Sequence, residues 1–282
     1  MSMRRIAKPA LVYPTCVRHL KGRKDSRLRH FFLCDQCAEL WSNDAFDGNQ
    51  PLHVGERLDG FCQLCNTRTN AVRMRSWFLC DICCRVAGSI GRNHVAEKAI
   101  LDFWEASVLP RFPNLVLRQN DASALRPKRA ADQRATAPID FLVRDMTIDQ
   151  DVFGIENKTG RSSIRDMSVF QLDVSDCDTI SNDMERLQIP AYVIHAQVLE
   201  QWQHPPTVGF QTVGLWWSDV YIMAEHFKET RMRRDEMRGA AFFNKKAFLP
   251  IDSFPDALAG AKTWALVERF QRDGIAPMYR LA

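Results

Sequence analysis

The sequence lacks the long apolar runs that cross a membrane. No stretch approaches the roughly 20 residues that a spanning helix needs. Behind the charged start, from Arg4 to Lys8, the apolar run Ala10–Tyr13 is too short for the core of a secretory signal. A cytoplasmic location is therefore the expectation. Neither His-Glu-x-x-His nor Gly-x-Ser-x-Gly occurs, which argues against zinc-peptidase and nucleophile-elbow hydrolase readings. A large net charge is also missing. The 282 residues sum to +4, with 46% hydrophobic and 26% charged residues, a globular composition long enough for one large domain and a small one.

The charge is unevenly placed. Residues 1–93 carry 15 Lys/Arg against 8 Asp/Glu, and the remainder 23 against 26. A basic small domain on a mildly acidic body suggests a polyanion-binding module. The cysteines lie mostly in that basic part, and their spacing points to metal in a reducing compartment rather than to disulfides.

That part is an internal repeat. Cys16-x2-His19 is followed fourteen residues later by Cys34-x2-Cys37, and Cys62-x2-Cys65 fourteen residues later by Cys80-x2-Cys83. A shift of 46 residues superposes every ligand, and also Arg27 on Arg73, Arg29 on Arg75, Phe32-Leu33 on Phe78-Leu79 and Asp35 on Asp81. Two x2-spaced pairs per unit suit tetrahedral Zn²⁺, and units too small to bury a core take their folding free energy from the metal. The expected grouping is Cys16, His19, Cys34 and Cys37 at one structural zinc, and Cys62, Cys65, Cys80 and Cys83 at the other. A cross-braced pairing and an iron–sulfur cluster are the alternatives. The units look like tandem zinc ribbons or zinc fingers, over about 12–40 and 58–87, within a zinc domain of residues 1–90. Cys84 and Cys177 fall outside the pattern, as small buried thiols. Lys21, Arg23, Lys24, Arg27 and Arg29 in the first unit, and Arg68, Arg73 and Arg75 in the second, are candidates for contact with nucleic-acid phosphates or bases. The alternative is a purely structural module. Ser42 to Asp59 reads as a connector, and Gly88 to Gly91 as a hinge.

In the body, one stretch concentrates ionisable side chains. Val152 to Lys158 alternates as a strand, so Glu156 and Lys158 share one face, and Phe153 and Ile155 the other. Asp140 opens the preceding apolar segment, a neighbouring strand. Two carboxylates and one ammonium thus meet at a sheet edge, where the carboxylates can hold Mg²⁺.

Pro138-Ile139-Asp140 followed by Glu156-Asn157-Lys158 resembles the PD-(D/E)xK nuclease superfamily, with one extra residue between the proline and the aspartate. The resemblance implies a restriction-endonuclease-like α/β fold over residues 91–282, a mixed central sheet flanked by helices. It implies Mg²⁺-dependent phosphodiester hydrolysis, with Asp140, Glu156 and the Asn157 carbonyl at the metal and Lys158 at the attacking water. It also implies a glutamate from the preceding helix, Glu97 or else Glu105, and a polar residue after the lysine, Gln171. A double-stranded DNA substrate and a homodimer follow, as in a type II restriction or related defence or repair nuclease. The competing readings are a non-catalytic zinc-dependent nucleic-acid-binding or regulatory protein on a degenerate nuclease fold, and a nuclease acting on RNA or DNA ends.

The remaining periodicity predicts a helix from His94 to about Leu109, a strand at Leu115–Leu117 and a basic loop over 121–137. A helix follows from Phe170 to Leu187, and a strand after Pro190 carries His195 as a hydrogen-bonded residue. Val213 to Ile222 reads as strand or core. Glu225 to Arg238 reads as an ion-paired, partly basic helix, Phe242 to Leu249 as an edge strand and Phe254 to Phe270 as an amphipathic helix.

Overall fold

The computed structural model describes residues 28–39, 53–57, 60–69, 73–120, 139–202, 208–232, 239–259 and 261–275. The N-terminal part comprises β1 (Leu28–Leu33), β2 (His53–Arg57), the short hairpin of β3 (Gly60–Phe61) and β4 (Arg68–Thr69), and β5 (Arg73–Cys80). Helix α1 (Asp81–Phe103) leads into the body and ends in a π-helical turn, Trp104–Val108. Then come β6 (Leu115–Gln119), β7 (Phe141–Asp145), β8 (Gln150–Gly160), β9 (Val169–Asp173), α2 (Val174–Leu187), β10 (Ala191–Trp202) and β11 (Val208–Asp219). The chain closes through α3 (Val220–Glu225), β12 (Phe227–Met232), β13 (Gly239–Asn244), β14 (Leu249–Pro250), α4 (Phe254–Leu258) and α5 (Ala261–Asp273).

The body is mixed α/β. Its main sheet has six strands in the order β14-β11-β10-β8-β7-β6. Only β8 and β10 run parallel. A parallel pair needs a crossover, and α2 supplies it. The N-cap Asp219 accepts from Tyr221 N and Ile222 N at 2.9 and 2.8 Å and so starts α3 at the end of β11. On one face of β8, Phe153 packs near Trp104 and edge-on against Tyr192, which meets Phe254 edge-on at 5.1 Å. Strand alternation turns Glu156 and Lys158 to the face opposite this aromatic core.

Several sequence expectations change. The hinge at Gly88–Gly91 is replaced by continuous helix, which runs across the expected boundary at residue 90. Gly91 serves close packing: a Cβ there would lie 2.3 Å from the Gln63 carbonyl oxygen. The helix expected from Phe170 begins at Val174, because Val169–Asp173 pairs with β13 in a small sheet ordered β12-β13-β9. Its three/four spacing was overridden by a non-local strand partner. Within the expected helix 225–238, Phe227–Met232 is strand β12 for the same reason, while Glu225 ends α3. The helix expected over Phe254–Phe270 is two helices, α4 and α5.

In the N-terminal sheet, ordered β1-β5-β2, the repeats meet through their equivalent strands. The antiparallel register sets Phe31 opposite Trp77, residues separated by the repeat period itself. The backbone of the two strands therefore has an approximate two-fold axis through that pair.

Candidate active site and metal centre

Asp140, Glu156 and Lys158 converge. Pairing of β7 with β8 sets Phe141 opposite Ile155, so Asp140 arrives beside the Glu156–Asn157 peptide. Asn157 donates its backbone N–H to Asp140 Oδ2 at 2.7 Å. Lys158 Nζ lies 2.8 Å from Glu156 Oε1 and 3.2 Å from Asp176 Oδ1. The backbone before Asp140 is tied on both sides. Ile139 N donates to Asp183 Oδ2 at 2.7 Å, the Asn120 side-chain amide donates to Ile139 O at 2.8 Å, and Asn120 N donates to Asp140 O at 2.8 Å. Arg186 in turn holds the other oxygen of Asp183. A site placed on sheet and helix with such a supporting shell is geometrically fixed.

The charges do not balance. Burial pushes the Glu156 carboxyl up to about 8, the Asp140 charge adds to that push, and Lys158 offsets only part of it. Burial alone would lower the Lys158 pKa, but Glu156 and Asp176 outweigh it and hold the ammonium above the ordinary lysine value. Glu156 Oε2 is buried without a hydrogen-bond partner. A buried carboxylate oxygen beside a second carboxylate is a donor set of the hard-oxygen kind that Mg²⁺ takes. Asn157 is also buried, and its side-chain oxygen lacks a partner.

A cleft of about 420 Å³ opens beside Lys158, lined also by Gln171, Asp173, Asp176 and His195. Gln171 is thus brought to the site, exposed on β9. Glu97 is buried on α1 and accepts from the Gln119 side chain at 3.2 Å. Helix α1 covers the opposite face of β8: Thr159 Oγ1 donates to Asn93 Oδ1 at 2.7 Å, one helical turn before Glu97. The sheet thus separates Glu97 from the Glu156–Lys158 face. Glu105 is exposed on the π-helical turn. His195 is buried and bonded through Nε2 to the Ser162 carbonyl at 3.2 Å. Asp176 and Asp183 were missed by sequence reasoning. Both lie on α2, which folds back over the site, and the helix expected from Phe170 placed neither of them in its first turn.

The cysteines form a second centre, grouped differently from expectation. Cys34, Cys37, Cys62 and Cys65 place all four sulfurs within 4.8 Å of one another. Cys34 and Cys65 sulfurs are 3.8 Å apart, the spacing of about 3.8 Å that a tetrahedron with roughly 2.3 Å Zn–S bonds requires. Hydrogen bonds among the thiols draw Cys34 down to about 7 and push Cys37 up. Such a set shares protons until a soft cation replaces them. The correction has a backbone cause. Gln63 N donates to Phe32 O at 3.0 Å and Phe32 N donates to Gln63 Oε1 at 2.7 Å, which seats the 62–65 turn on the end of β1. Cys16 and His19 lie outside the described residues. Cys80 ends β5 and Cys83 sits in the first turn of α1. Cys177 is a buried core thiol, with burial pushing its pKa up to about 12.

This thiol hairpin is fastened to the body. The Asn66 side chain donates to Phe210 O at 2.7 Å and accepts from Phe210 N at 2.8 Å, as a neighbouring strand would. Asn66 does this with φ of 58°, a left-handed conformation that asparagine tolerates. Of the candidate nucleic-acid contacts, Arg23, Lys24 and Arg27 lie outside the described residues. Arg29 is on β1, and Arg73 and Arg75 are on β5.

The body joins an antiparallel β7–β8 hairpin bearing Asp and Glu-x-Lys to a crossover helix and a parallel strand. The arrangement is the mixed sheet with flanking helices that the sequence led us to expect. No protein-family model matches the chain, and no curated protein matches it in sequence. Among solved structures it is similar to Hjc of Archaeoglobus fulgidus, a Holliday junction resolvase from an archaeal hyperthermophile. That likeness has a TM-score of 0.30 and 10% identity, covering 56% of this chain and 97% of that one. It is also similar to D212, a nuclease from a fusselovirus, with a TM-score of 0.35 and 13% identity over 63% of this chain and 94% of that one. At this level of likeness, the reading of the site rests on the chain's own geometry.

Proposed function

We propose that the chain is a Mg²⁺-dependent DNA endonuclease. The observation that carries this reading is the meeting of Asp140, Glu156 and Lys158 around a buried, unpartnered Glu156 oxygen. Asp140 and Glu156, with the Asn157 carbonyl, would hold the metal. Bound there, Mg²⁺ supplies Lewis acidity to a phosphoryl oxygen and a template for in-line attack. Lys158 orients the attacking water and balances charge as the phosphorane forms. Gln171, at the mouth of the cleft, contacts substrate. Glu97 acts as a buried brace through Gln119 and sits apart from the metal.

A type II restriction enzyme, or a related defence nuclease cutting double-stranded DNA as a homodimer, is the form of this activity we favour. The hairpin that carries Cys62 and Cys65 is fastened to the body, since Asn66 bonds β11 and Gly91 packs it against α1. Arg23, Lys24, Arg27, Arg29, Arg73 and Arg75 are the basic side chains we assign to contact with DNA. Two structural zinc ions per chain complete the cofactor set.

The test is incubation of zinc-loaded protein with supercoiled plasmid, with and without Mg²⁺. Discrete bands that need Mg²⁺, and a rate lower by on the order of 10³-fold in Asp140→Ala, Glu156→Ala and Lys158→Ala, are expected. Cleavage that survives all three substitutions would sink the assignment. A Mg²⁺-dependent smear would keep the nuclease and remove the site-specific form.

A further inference from the structure

We propose that Arg165, Lys245 and Lys246 form a phosphate-binding subsite, which holds the DNA backbone beside the phosphate that enters the Lys158 cleft. The inference rests on the nuclease reading and gives it a substrate path. It is independent of the zinc reading.

Charge makes such a subsite necessary. Asp140, Glu156, Asp173 and Asp176 gather at or beside the cleft, and Lys158 is already engaged by Glu156 and Asp176. A polyanion is repelled there until a metal and further cations answer these acids. Many cations of the body are already neutralised. Arg118 is paired with Asp151, Arg144 with Asp149 and Arg269 with Glu225. Arg165, Lys245 and Lys246 differ, since none of them forms an ion pair with a carboxylate among the described residues. Asp166, exposed in the same turn as Arg165, pairs with none of the three, so positive charge prevails.

The three sit together behind one wall of the cleft. Strand β8 passes Lys158 and, after Gly160, turns through residues 161–168 into β9. That turn is held in place. Ser162 O bonds His195 Nε2 at 3.2 Å, Ser163 and Ile164 are buried, and Ser163 O accepts from Asp166 N at 3.1 Å. Arg165 therefore stands exposed on a fixed turn, two residues before Met167, which lines the cleft. Strand β13 pairs Asn244 with Val169, another lining residue, and the tight turn Lys245–Ala247 follows at once. This brings Lys245 Nζ to Arg165 O at 2.6 Å. The Asn244 side chain accepts from Lys246 N at 3.1 Å and sets the second lysine beside the first.

The chemistry fits phosphodiesters. Lys245 gives one of its three N–H donors to a neutral carbonyl, so its charge is kept and donors remain. Lys246 is an exposed ammonium, and Arg165 offers a planar fork that takes phosphate oxygens two at a time. Three such cations side by side match the repeating charge of a DNA backbone and read no sequence.

The test uses the full chain and the triple variant R165Q/K245Q/K246Q. Binding of duplex oligonucleotides in Mg²⁺-free buffer is followed by fluorescence anisotropy across a salt series. Each phosphate contact contributes about 0.9 to the slope of log affinity against log salt. The variant's slope should be shallower by about 2 to 3, equally on unrelated sequences. With Mg²⁺ present, KM for plasmid should rise about tenfold or more while kcat is kept. The charge-keeping variant R165K/K245R/K246R should restore the slope, which separates lost contacts from a damaged fold. K98Q/R111Q/R272Q removes the same charge elsewhere and should leave the slope near that of the wild type. An unchanged slope in the patch variant, or an equal fall in the distant one, overturns the proposal, while wild-type cleavage leaves the nuclease reading standing. A fall in kcat at unchanged KM contradicts a binding role. A wild type that neither binds nor cuts DNA sinks the nuclease reading, and this subsite with it.

Discussion

The two centres are built on opposite principles. The thiol cluster gathers four equivalent sulfurs from two turns, at the spacing that one tetrahedral ion would demand. The carboxylate site gathers unlike groups from β7, β8 and α2, keeps a buried oxygen unpartnered and carries more negative charge than Lys158 neutralises. A closed centre stabilises the fold. An open one costs stability and leaves a position for chemistry. Each prediction below asks whether the difference holds.

Removal of zinc should have the largest effect. Structural zinc contributes on the order of 10 kcal/mol or more to small domains that depend on it. A chelator that strips zinc should therefore abolish the cooperative unfolding of the N-terminal sheet and expose its amides to hydrogen exchange. Withholding Mg²⁺ alone should leave the melting curve nearly unchanged while cleavage stops. If zinc removal left exchange in β1 and β5 as slow as before, the closed centre would not be what holds that sheet.

The join between the regions comes next. Asn66→Gly keeps the left-handed backbone accessible but deletes both bonds to Phe210. Leaving two part-buried backbone groups unpaired should cost about 2–3 kcal/mol by denaturant titration. A cost below about 0.5 kcal/mol would mean the hairpin is not fastened there.

How far these regions were legible follows from the distances over which their order is set. Cys-x2-Cys spacing is local, so the ligands could be read off the chain. Which pair joins which is set by the β1–β5 register and by Gln63 on Phe32, contacts about 30 to 50 residues apart that no spacing rule encodes. In the body, strand alternation placed Glu156 with Lys158, and the apolar run after Asp140 placed that acid beside them. Asp176 and Asp183 reach the site only because α2 crosses back over the sheet. Val169–Asp173 looked helical because its apolar spacing merges with that of α2, and only its pairing with β13 resolves it as a strand.

A smaller effect, with a defined pH sign, tests the open centre's charge imbalance. The folded pKa of Glu156, about 8, lies above its unfolded value of about 4.3. This group's contribution to stability is full below the unfolded value and is lost as pH rises through about 8. Glu156→Gln removes that loss. In Mg²⁺-free, chelator-free buffer, the variant's melting temperature should gain on the wild type between about pH 5 and pH 8. It should lead by a few degrees above pH 8, while cleaving nothing. A difference independent of pH would show that Glu156 is not strained by its surroundings.

The smallest effect concerns Asp176, the group that sequence reasoning missed. Lys158 is held from two sides, by Glu156 at 2.8 Å and Asp176 at 3.2 Å. With Glu156 committed to a metal, Asp176 becomes the main anchor of the ammonium. Asp176→Asn preserves shape and one acceptor oxygen but removes the charge. Because Asp176 acts through Lys158, kcat should fall about tenfold, equivalent to about 1.4 kcal/mol at the transition state, with KM and melting temperature little changed. Asp176→Glu should recover part of the loss, since its longer arm can still present a carboxylate to Nζ. A raised KM with unchanged kcat would move Asp176 from positioning the lysine to binding DNA. An unaltered rate would leave Glu156 as the sole anchor of Lys158, and the open centre would then rest on β7 and β8 alone.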